Sequence, residues 1–355
     1  MPGIVADPHR VTAGWLTEVL QQGGHGAEVA TFTWQNIGTG QVGQNVRFSL
    51  NYAPGKDAGP ETLVGKFASG DPTSRATGSA QNNYLKEVRF YQLLRSTLDI
   101  RTPEVLFTDI DTATDDFCLM MEDLAPAVQG DQLAGCSVDE AALALHEAAG
   151  LHAPRWADGG LEALEWLGRQ TAETIAGGQA LYDQVFPGFV DRYQERLSPE
   201  HMEVARALGA HFTAWASGYD GPRTVTHGDY RLDNMLFGGP YPVTVVDWQT
   251  PGIGAALSDV SYFLGAGLLP EARRASERDL VRAYHEDLRR RGVADYPFAD
   301  CWEDYRRFSF SGLLMAVVAS MIVGQTDRGD DMFMAMASRH AQQALDLDAL
   351  EFLHG

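Results

Sequence analysis

The chain has 355 residues, 45% hydrophobic and 21% charged, which is ordinary globular composition and long enough for two unequal domains. Asp and Glu number 48 against 27 Lys and Arg, so the net charge is −21; nucleic acid and an anionic membrane both demand a basic footprint, and neither is expected as a partner. Cys118, Cys136 and Cys301 are scattered, with no C-x-x-C, and read as buried thiols of a reducing compartment rather than a disulfide framework or zinc ribbon. The N-terminal MPGIVADPHRV lacks a basic region followed by an apolar core, and the longest apolar stretch, residues 311 to 324, falls short of the roughly 20 residues of a membrane span. A cytoplasmic protein is expected, with residues 311 to 324 as a buried core helix.

In chain order, the pattern predicts a short helix over 10 to 22 and a strand over 29 to 37. GTGQVG follows, in which Gly38, Gly40 and Gly43 satisfy G-x-G-x-x-G. A dinucleotide-binding fold needs a helix next, whereas NVRFSLNYA alternates Val46, Phe48, Leu50 and Tyr52 with polar neighbours and is a strand. Strand, glycine loop, strand is the arrangement of a protein-kinase nucleotide loop. After the turn-forming APGKDAGPE comes the strand TLVGKFA with Lys66 inside it. Its Gly-Lys pair is not a P-loop, because no Ser or Thr follows the lysine and position 60 is Pro. Residues 80 to 97 carry Tyr84, Leu85, Val88, Tyr91 and Leu94 at helical spacing, with Glu87 in the same helix. PEVLFTDI and FCLMMEDL form two strands about a DTATDD turn, the second ending in Met121, Glu122 and Leu124.

Ser137 to Glu140 is a capping box that starts a helix running to about His152. His146 and His152 are six apart, where H-E-x-x-H requires four, so they do not share a helix face for one zinc ion. Residues 160 to 217 read as aromatic-rich helices with Pro187 and Pro199 as breaks. Asp259 begins an apolar helix, and 270 to 355 is helical, with Trp302, Tyr305, Phe308, Phe310 and six residues of Met or Phe between 315 and 336.

Residues 225 to 249, VTHGDYRLDNMLFGGPYPVTVVDWQ, concentrate the chemistry. Asp229 and Asn234 are five apart, the spacing of the Asp and Asn in the protein-kinase catalytic loop H-R-D-x-x-x-x-N. Asp247 closes the β-branched run VTVVD, and the Gly/Pro punctuation of FGGPYP joins two short strands as a hairpin. Phosphoryl transfer asks for positioning and charge compensation, with an Asp to receive the hydroxyl proton and hard oxygens to hold Mg²⁺.

HGDYRLDN followed by VVDWQ resembles the aminoglycoside phosphotransferase and choline kinase-like family, close to the ecdysteroid-kinase-like proteins and the kinase domains fused to some acyl-CoA dehydrogenases. The resemblance covers nearly the whole chain and implies an α+β, protein-kinase-like two-lobe fold. An N-lobe over 1 to 122 would hold a small antiparallel sheet with one main helix, and a mostly helical C-lobe over 123 to 355 the catalytic loop, metal site and acceptor pocket. Asp229 is then the base or hydroxyl-orienting residue, His227 holds the loop, and Asn234 and Asp247 are the Mg²⁺ ligands. Gly38, Gly40, Gly43 and Lys66 clamp the ATP phosphates, Glu87 pairs with Lys66, and the main chain around Met121, Glu122 and Leu124 reads the adenine edge. Asp259 braces the loop, and His152 is a structural buttress. Only 12 residues separate Asp247 from Asp259, with no A-P-E between them, which excludes a protein kinase.

The expected activity is ATP- and Mg²⁺-dependent phosphorylation of a hydroxyl on a small molecule, and the C-terminal aromatics and methionines favour a largely apolar acceptor. Aminoglycoside-type cations and hydroxyacyl-CoA are the alternatives within the family; Arg231 and Asp233 face either the acceptor or solvent. A non-catalytic nucleotide-binding module is disfavoured because no catalytic residue is missing, and a hydrolase because no G-x-S-x-G is present. The sequence carries no indication of oligomeric state.

Overall fold

Alternating apolar residues build a five-stranded sheet in the computed structural model, which describes residues 2–38, 43–55 and 58–354. The strands are β1 (Val29–Ile37), β2 (Gly43–Tyr52), β3 (Thr62–Ala68), β4 (Val105–Asp111) and β5 (Asp116–Glu122), in the order β1-β2-β3-β5-β4 with every neighbouring pair antiparallel. Central β3 buries both faces. Leu63 and Phe67 join Val46, Phe48, Met120 and the apolar stripe of α1 (Ala13–Gln22), whereas Val64 and Ala68 face the cluster of Tyr84, Val88, Phe117 and Leu119. The two-residue period of a strand assigns Lys66 to this second face, against the helix that carries Glu87. At Gly65, on the opposite face, a Cβ would lie 2.8 Å from the Phe67 ring and 2.9 Å from that of Phe48, so only glycine fits.

These strands belong to a first unit comprising Met1–Thr97, Thr102–Ala127 and Val246–Pro251; the second comprises Leu98–Arg101, Val128–Val245 and Gly252–Gly355. Two short segments are thus exchanged, so no single cut in the sequence separates the units. One of them contains Asp247.

The helix read over 80 to 97 is interrupted. A separate helix that the sequence reading missed, α2 (Pro72–Ala80), precedes it, and it comprises α3 (Asn83–Arg89), a π-turn at Phe90–Leu94 and a 3₁₀ turn at Arg95–Thr97. Asn82 breaks the run with φ 55°, a left-handed conformation that Asn tolerates better than most residues.

The second unit is mostly helical: α4 (Val138–His152), α5 (Ala172–Tyr193), α6 (Pro199–Ser217), α7 (Ala256–Gly267), α8 (Pro270–Arg290), α9 (Phe298–Arg307), α10 (Phe310–Ile322) and α11 (Asp327–Asp346). Nearly every residue of α7 is buried, as befits a helix apolar on all sides, and α4, α8, α9, α10 and α11 pack around it. Pro187 does not break α5, contrary to the sequence reading. An interior proline costs about 3 kcal/mol, but Tyr182, Val185, Phe189 and Tyr193 are buried along one stripe, each contributing roughly 1.5–3 kcal/mol. Pro199 sits in the first turn of α6 after the capping Ser198, where its missing N–H costs nothing. Residues 159 to 169 form a 3₁₀ turn and a two-residue strand rather than helix. The hairpin of Met235–Phe237 and Val243–Val245 flanks the turn read from FGGPYP. Among the described residues no helix is long and apolar enough to cross a membrane.

Candidate active site

In the first unit the site is organised by Lys66. Its Nζ donates to Glu87 Oε1 at 2.8 Å and to Asp247 Oδ1 at 2.7 Å, and its side chain is 8% exposed. Burial alone would lower the lysine's pKa, but Asp247 and Glu87 outweigh it and hold the ammonium above its ordinary value. Glu87 is pushed up by burial, an effect that Lys66 only partly offsets. Asp247 follows the strand Val243–Val245 in a left-handed conformation, φ 66°, which Asp, like Asn, tolerates better than most residues with a Cβ. The next residue holds it there: Trp248 is fully buried and stacks on Phe90, with ring centroids 3.9 Å apart and planes at 4°. The Asp247 side chain is 40% exposed, so its second oxygen is within reach of a ligand.

Gly43 opens β2 directly over this cluster. A Cβ there would lie 3.2 Å from Lys66 Cε and 3.3 Å from the Phe67 carbonyl oxygen, so a side chain at this position would press the lysine by a few tenths of an ångström, which favours glycine. Gly38 adopts φ 71° at the end of β1. Gly40 lies outside the described residues. At the end of β5, Met121 and Leu124 are buried and Glu122 is half-buried; the Glu122 amide donates to the Glu104 carbonyl at 2.9 Å. Between them Asp123 accepts from Arg47 Nε at 2.5 Å and Nη2 at 3.0 Å, a two-pronged bond that fixes this segment to β2.

In the second unit the loop from His227 to Asn234 is held from three directions. Asp259, in the first turn of α7, accepts from the His227 amide at 2.7 Å and the Gly228 amide at 3.0 Å. Gly228 turns the chain there with φ 81°. His152 buttresses Asp259 through Nε2 at 3.3 Å, and its Nδ1 meets the Tyr284 hydroxyl at 2.8 Å. His227 is fully buried and its Nδ1 accepts from the Asp229 amide at 3.2 Å. Gln132 closes the far side, accepting from the Leu232 amide at 3.1 Å while its own amide donates to Asp233 Oδ1 at 3.1 Å.

The Asp229 carboxylate is tightly surrounded. Oδ1 accepts from the Tyr262 hydroxyl at 2.8 Å, Oδ2 from Asn234 Nδ2 at 2.8 Å, and Arg231 Nε lies between the two at 3.0 and 3.1 Å. Burial would raise its pKa, but Arg231, His227 and the Tyr262 bond hold the carboxyl below the ordinary range. Asn234 gives its side-chain N–H groups to the Asp229 carbonyl and carboxylate, both at 2.8 Å, which leaves its amide oxygen as the atom able to coordinate a cation. Arg231 also donates to Asp233 Oδ2 at 2.6 Å and touches Met332 sulfur at 3.5 Å, so both charged loop residues are engaged within the protein.

Lys66, Glu87 and Asp247 therefore meet in the first unit, and His227, Asp229 and Asn234 in the second. Tyr262 and Gln132 were not singled out from the sequence; nothing in a local pattern separates a buried Tyr or Gln that reaches the loop from one that packs elsewhere. Of the C-terminal aromatics, Tyr305 and Phe310 are buried in the core and Trp302 and Phe308 are half-buried. Tyr305 donates to Glu277 at 2.7 Å, Trp302 packs on Tyr305 and beneath Arg278, and Phe308 and Phe310 pack against Trp215. Of the residues read as acceptor-facing, Met332 is the one whose contact reaches the catalytic loop among the described residues. Two acids of α11 are paired as well: Asp330 accepts from Tyr193 and Gln325, and Asp331 from Arg196.

A model of the phosphotransferase enzyme family matches residues 50–298. Acyl-CoA dehydrogenase family member 10 of Mus musculus is 30% identical over 124 residues, an alignment covering 29% of this chain and 11% of that protein. Three solved structures are similar over almost their whole length. Macrolide 2'-phosphotransferase MphH from Brachybacterium faecium has a TM-score of 0.52 at 15% identity, covering 90% of this chain and 97% of its own. The GDP complex of aminoglycoside 2'-phosphotransferase-IIIa has 0.51 at 14%, covering 92% and 97%. Spectinomycin phosphotransferase in complex with ADP and spectinomycin has 0.52 at 10%, covering 96% and 99%. At such identities the likeness is one of fold, and the fold is the protein-kinase-like one.

Proposed function

The chain belongs to the phosphotransferase enzyme family and is a small-molecule kinase with an alcohol group as acceptor, and on that premise we propose that it uses ATP with Mg²⁺ to phosphorylate a hydroxyl on a largely apolar compound. The observation that carries this reading is the Lys66–Glu87–Asp247 cluster: a buried ammonium held by two carboxylates, one of which keeps an oxygen in reach of a ligand. Lys66 would meet the α- and β-phosphates from this position, while Glu87 keeps it charged and aimed. Asp247 of the first unit and Asn234 of the second each keep a side-chain oxygen free, and each is the kind of hard ligand taken by Mg²⁺, a cation that keeps several waters and takes only one or two protein carboxylates. When bound, Mg²⁺ neutralises charge on the β- and γ-phosphates.

Asp229 would accept the hydrogen bond of the acceptor hydroxyl. With its carboxyl held below the ordinary range it is a weak base, which favours orienting the hydroxyl over removing its proton early. In a loose phosphoryl-transfer transition state the proton leaves late, so orientation is the greater need.

An apolar acceptor is supported by the pairing of Asp330 and Asp331 with neighbouring groups, since ammonium-rich aminoglycosides need free, clustered carboxylates. A second reading, an apolar body joined to an anionic group as in hydroxyacyl-CoA, is favoured by Arg328. Its side chain is 58% exposed and lies loosely between Asp131 at 3.8 Å and Asp233 at 4.0 Å, at the edge of the loop and longer than a hydrogen bond from either. The name of the mouse relative, an acyl-CoA dehydrogenase family member, agrees with that chemistry. An ADP-release assay with kanamycin, hydroxylated steroids and hydroxyacyl thioesters tests these readings. Turnover is expected with the steroids or thioesters, and turnover confined to kanamycin would overturn the acceptor assignment.

A further inference from the structure

One face of α7 reaches the catalytic loop at consecutive residues. Asp259 and Tyr262 are three apart and therefore neighbours on the helix surface. Asp259 takes the backbone amides of residues 227 and 228, and Tyr262 takes the carboxylate of residue 229. Gly265, three residues further on, continues the face. There a Cβ would collide with the His340 ring, and so would one at Gly312 of α10, so His340 of α11 fits only because both positions are glycine. His340 is fully buried and its ring lies 5.6 Å from that of Tyr262, which is itself 3% exposed. The phenol is thus held between a packed imidazole and the loop.

The Asp229 carboxylate needs such a constraint, because the terminal torsion of Asp is broad and has no sharp preferred angle of its own. Asn234 and Arg231 also bond to it, but both sit on the same loop and move with it. Tyr262 stands on a separate, buried helix and ties one chosen oxygen, Oδ1, to that frame. Tyr262 and Asn234 each take one oxygen and Arg231 Nε is forked between both, so of about four lone-pair sites the shared, longer Arg231 bond is the one that a further donor can take over. Burial, reinforced by Asp229, keeps the phenol protonated and therefore a donor.

We propose that Tyr262 is a positioning residue, whose hydroxyl fixes the rotation of the Asp229 carboxylate so that its remaining acceptor site faces the incoming hydroxyl. The inference rests on reading Asp229 as the hydroxyl-orienting group. Tyr262→Phe tests it, since the ring and its packing on His340 stay and only the hydroxyl is lost. The full chain is assayed for Mg·ATP hydrolysis with water as the acceptor, alone and in an Asp229→Asn background, and crystal structures of the wild type and Tyr262→Phe are compared. The expected result is a kcat roughly tenfold or more below wild type, the scale of one hydrogen bond to a charged group, with KM for ATP and Tm about unchanged. The Asp229 carboxylate should turn from its wild-type plane, and the double variant should be no slower than Asp229→Asn alone. Wild-type turnover with an unturned carboxylate, or an equal loss in both backgrounds, would overturn the inference. Wild-type turnover of Asp229→Asn would instead overturn the assignment of Asp229 on which it rests.

Discussion

Asp229 and Asp247 sit among different partners, and their removal should be felt differently. Asp229→Ala takes away the group proposed to orient the acceptor but leaves Glu87 and Asp247, the partners of Lys66, in place, so kcat should fall by about 10²–10⁴ while nucleotide affinity survives. Asp247→Ala frees Lys66 from one of its two carboxylates and removes an oxygen proposed for Mg²⁺, so turnover and Mg²⁺-dependent nucleotide affinity should fall together. ADP release and calorimetry separate the two, and equal, mild effects would contradict the roles. Lys66→Met adds a cost in stability, because Glu87 is 1% exposed and would lose its counter-charge. Breaking a buried pair on one side costs roughly 3–5 kcal/mol, and an unchanged urea midpoint would count against the pair as described. At this scale spacing was informative where residues are close in sequence: Asp229 and Asn234 share one short loop and one pair of hydrogen bonds. It was silent on Tyr262, whose hydroxyl crosses 33 residues of sequence to reach Asp229.

Elements that carry the site depend on a few positions without a side chain. Gly312→Ala would put a Cβ well within contact distance of His340 Nε2, and both residues lie on the buried faces of α10 and α11. Overpacking of this kind costs typically about 1–3 kcal/mol; a denaturation midpoint equal to wild type would show that the slot is looser than described. His340 also makes stability depend on pH. Burial lowers its pKa from 6.5 to about 3, so the folded chain holds it neutral. Its contribution is complete above the unfolded value and is lost as pH falls from there toward the folded one, at up to about 1.4 kcal/mol per pH unit. Urea unfolding between about pH 7 and about pH 5 should show this slope, and His340→Gln should flatten it; equal slopes would contradict the account. Most strands and helices were legible because each carries a clean two- or 3.6-residue period. Local signals misled where tertiary packing outweighed them, as at Pro187, where four buried side chains keep α5 continuous. At Asn82 a residue at ease in the left-handed region sets the start of α3, ahead of Tyr84 and the apolar period that follows, which did not mark that boundary.

At the scale of the molecule, the charge of −21 is carried by a surface on which many acids already have partners, so it acts on solubility and long-range steering more than on the site. The family sets the reaction class, and its fold hosts acceptors as different as the macrolides and aminoglycosides in the names of its neighbours. Which acceptor this chain takes was not legible in its aromatics, because Trp302, Tyr305, Phe308 and Phe310 are taken up by packing within the second unit. Transfer itself is the central claim, and mass spectrometry of the hydroxyl-compound panel after incubation with the protein, ATP and Mg²⁺ tests it most directly. The account predicts one acceptor gaining the mass of a single phosphoryl group in step with ADP release, with both lost in Asp229→Ala. ADP formed without any phosphorylated acceptor across the panel, or product formed equally by Asp229→Ala, would contradict it.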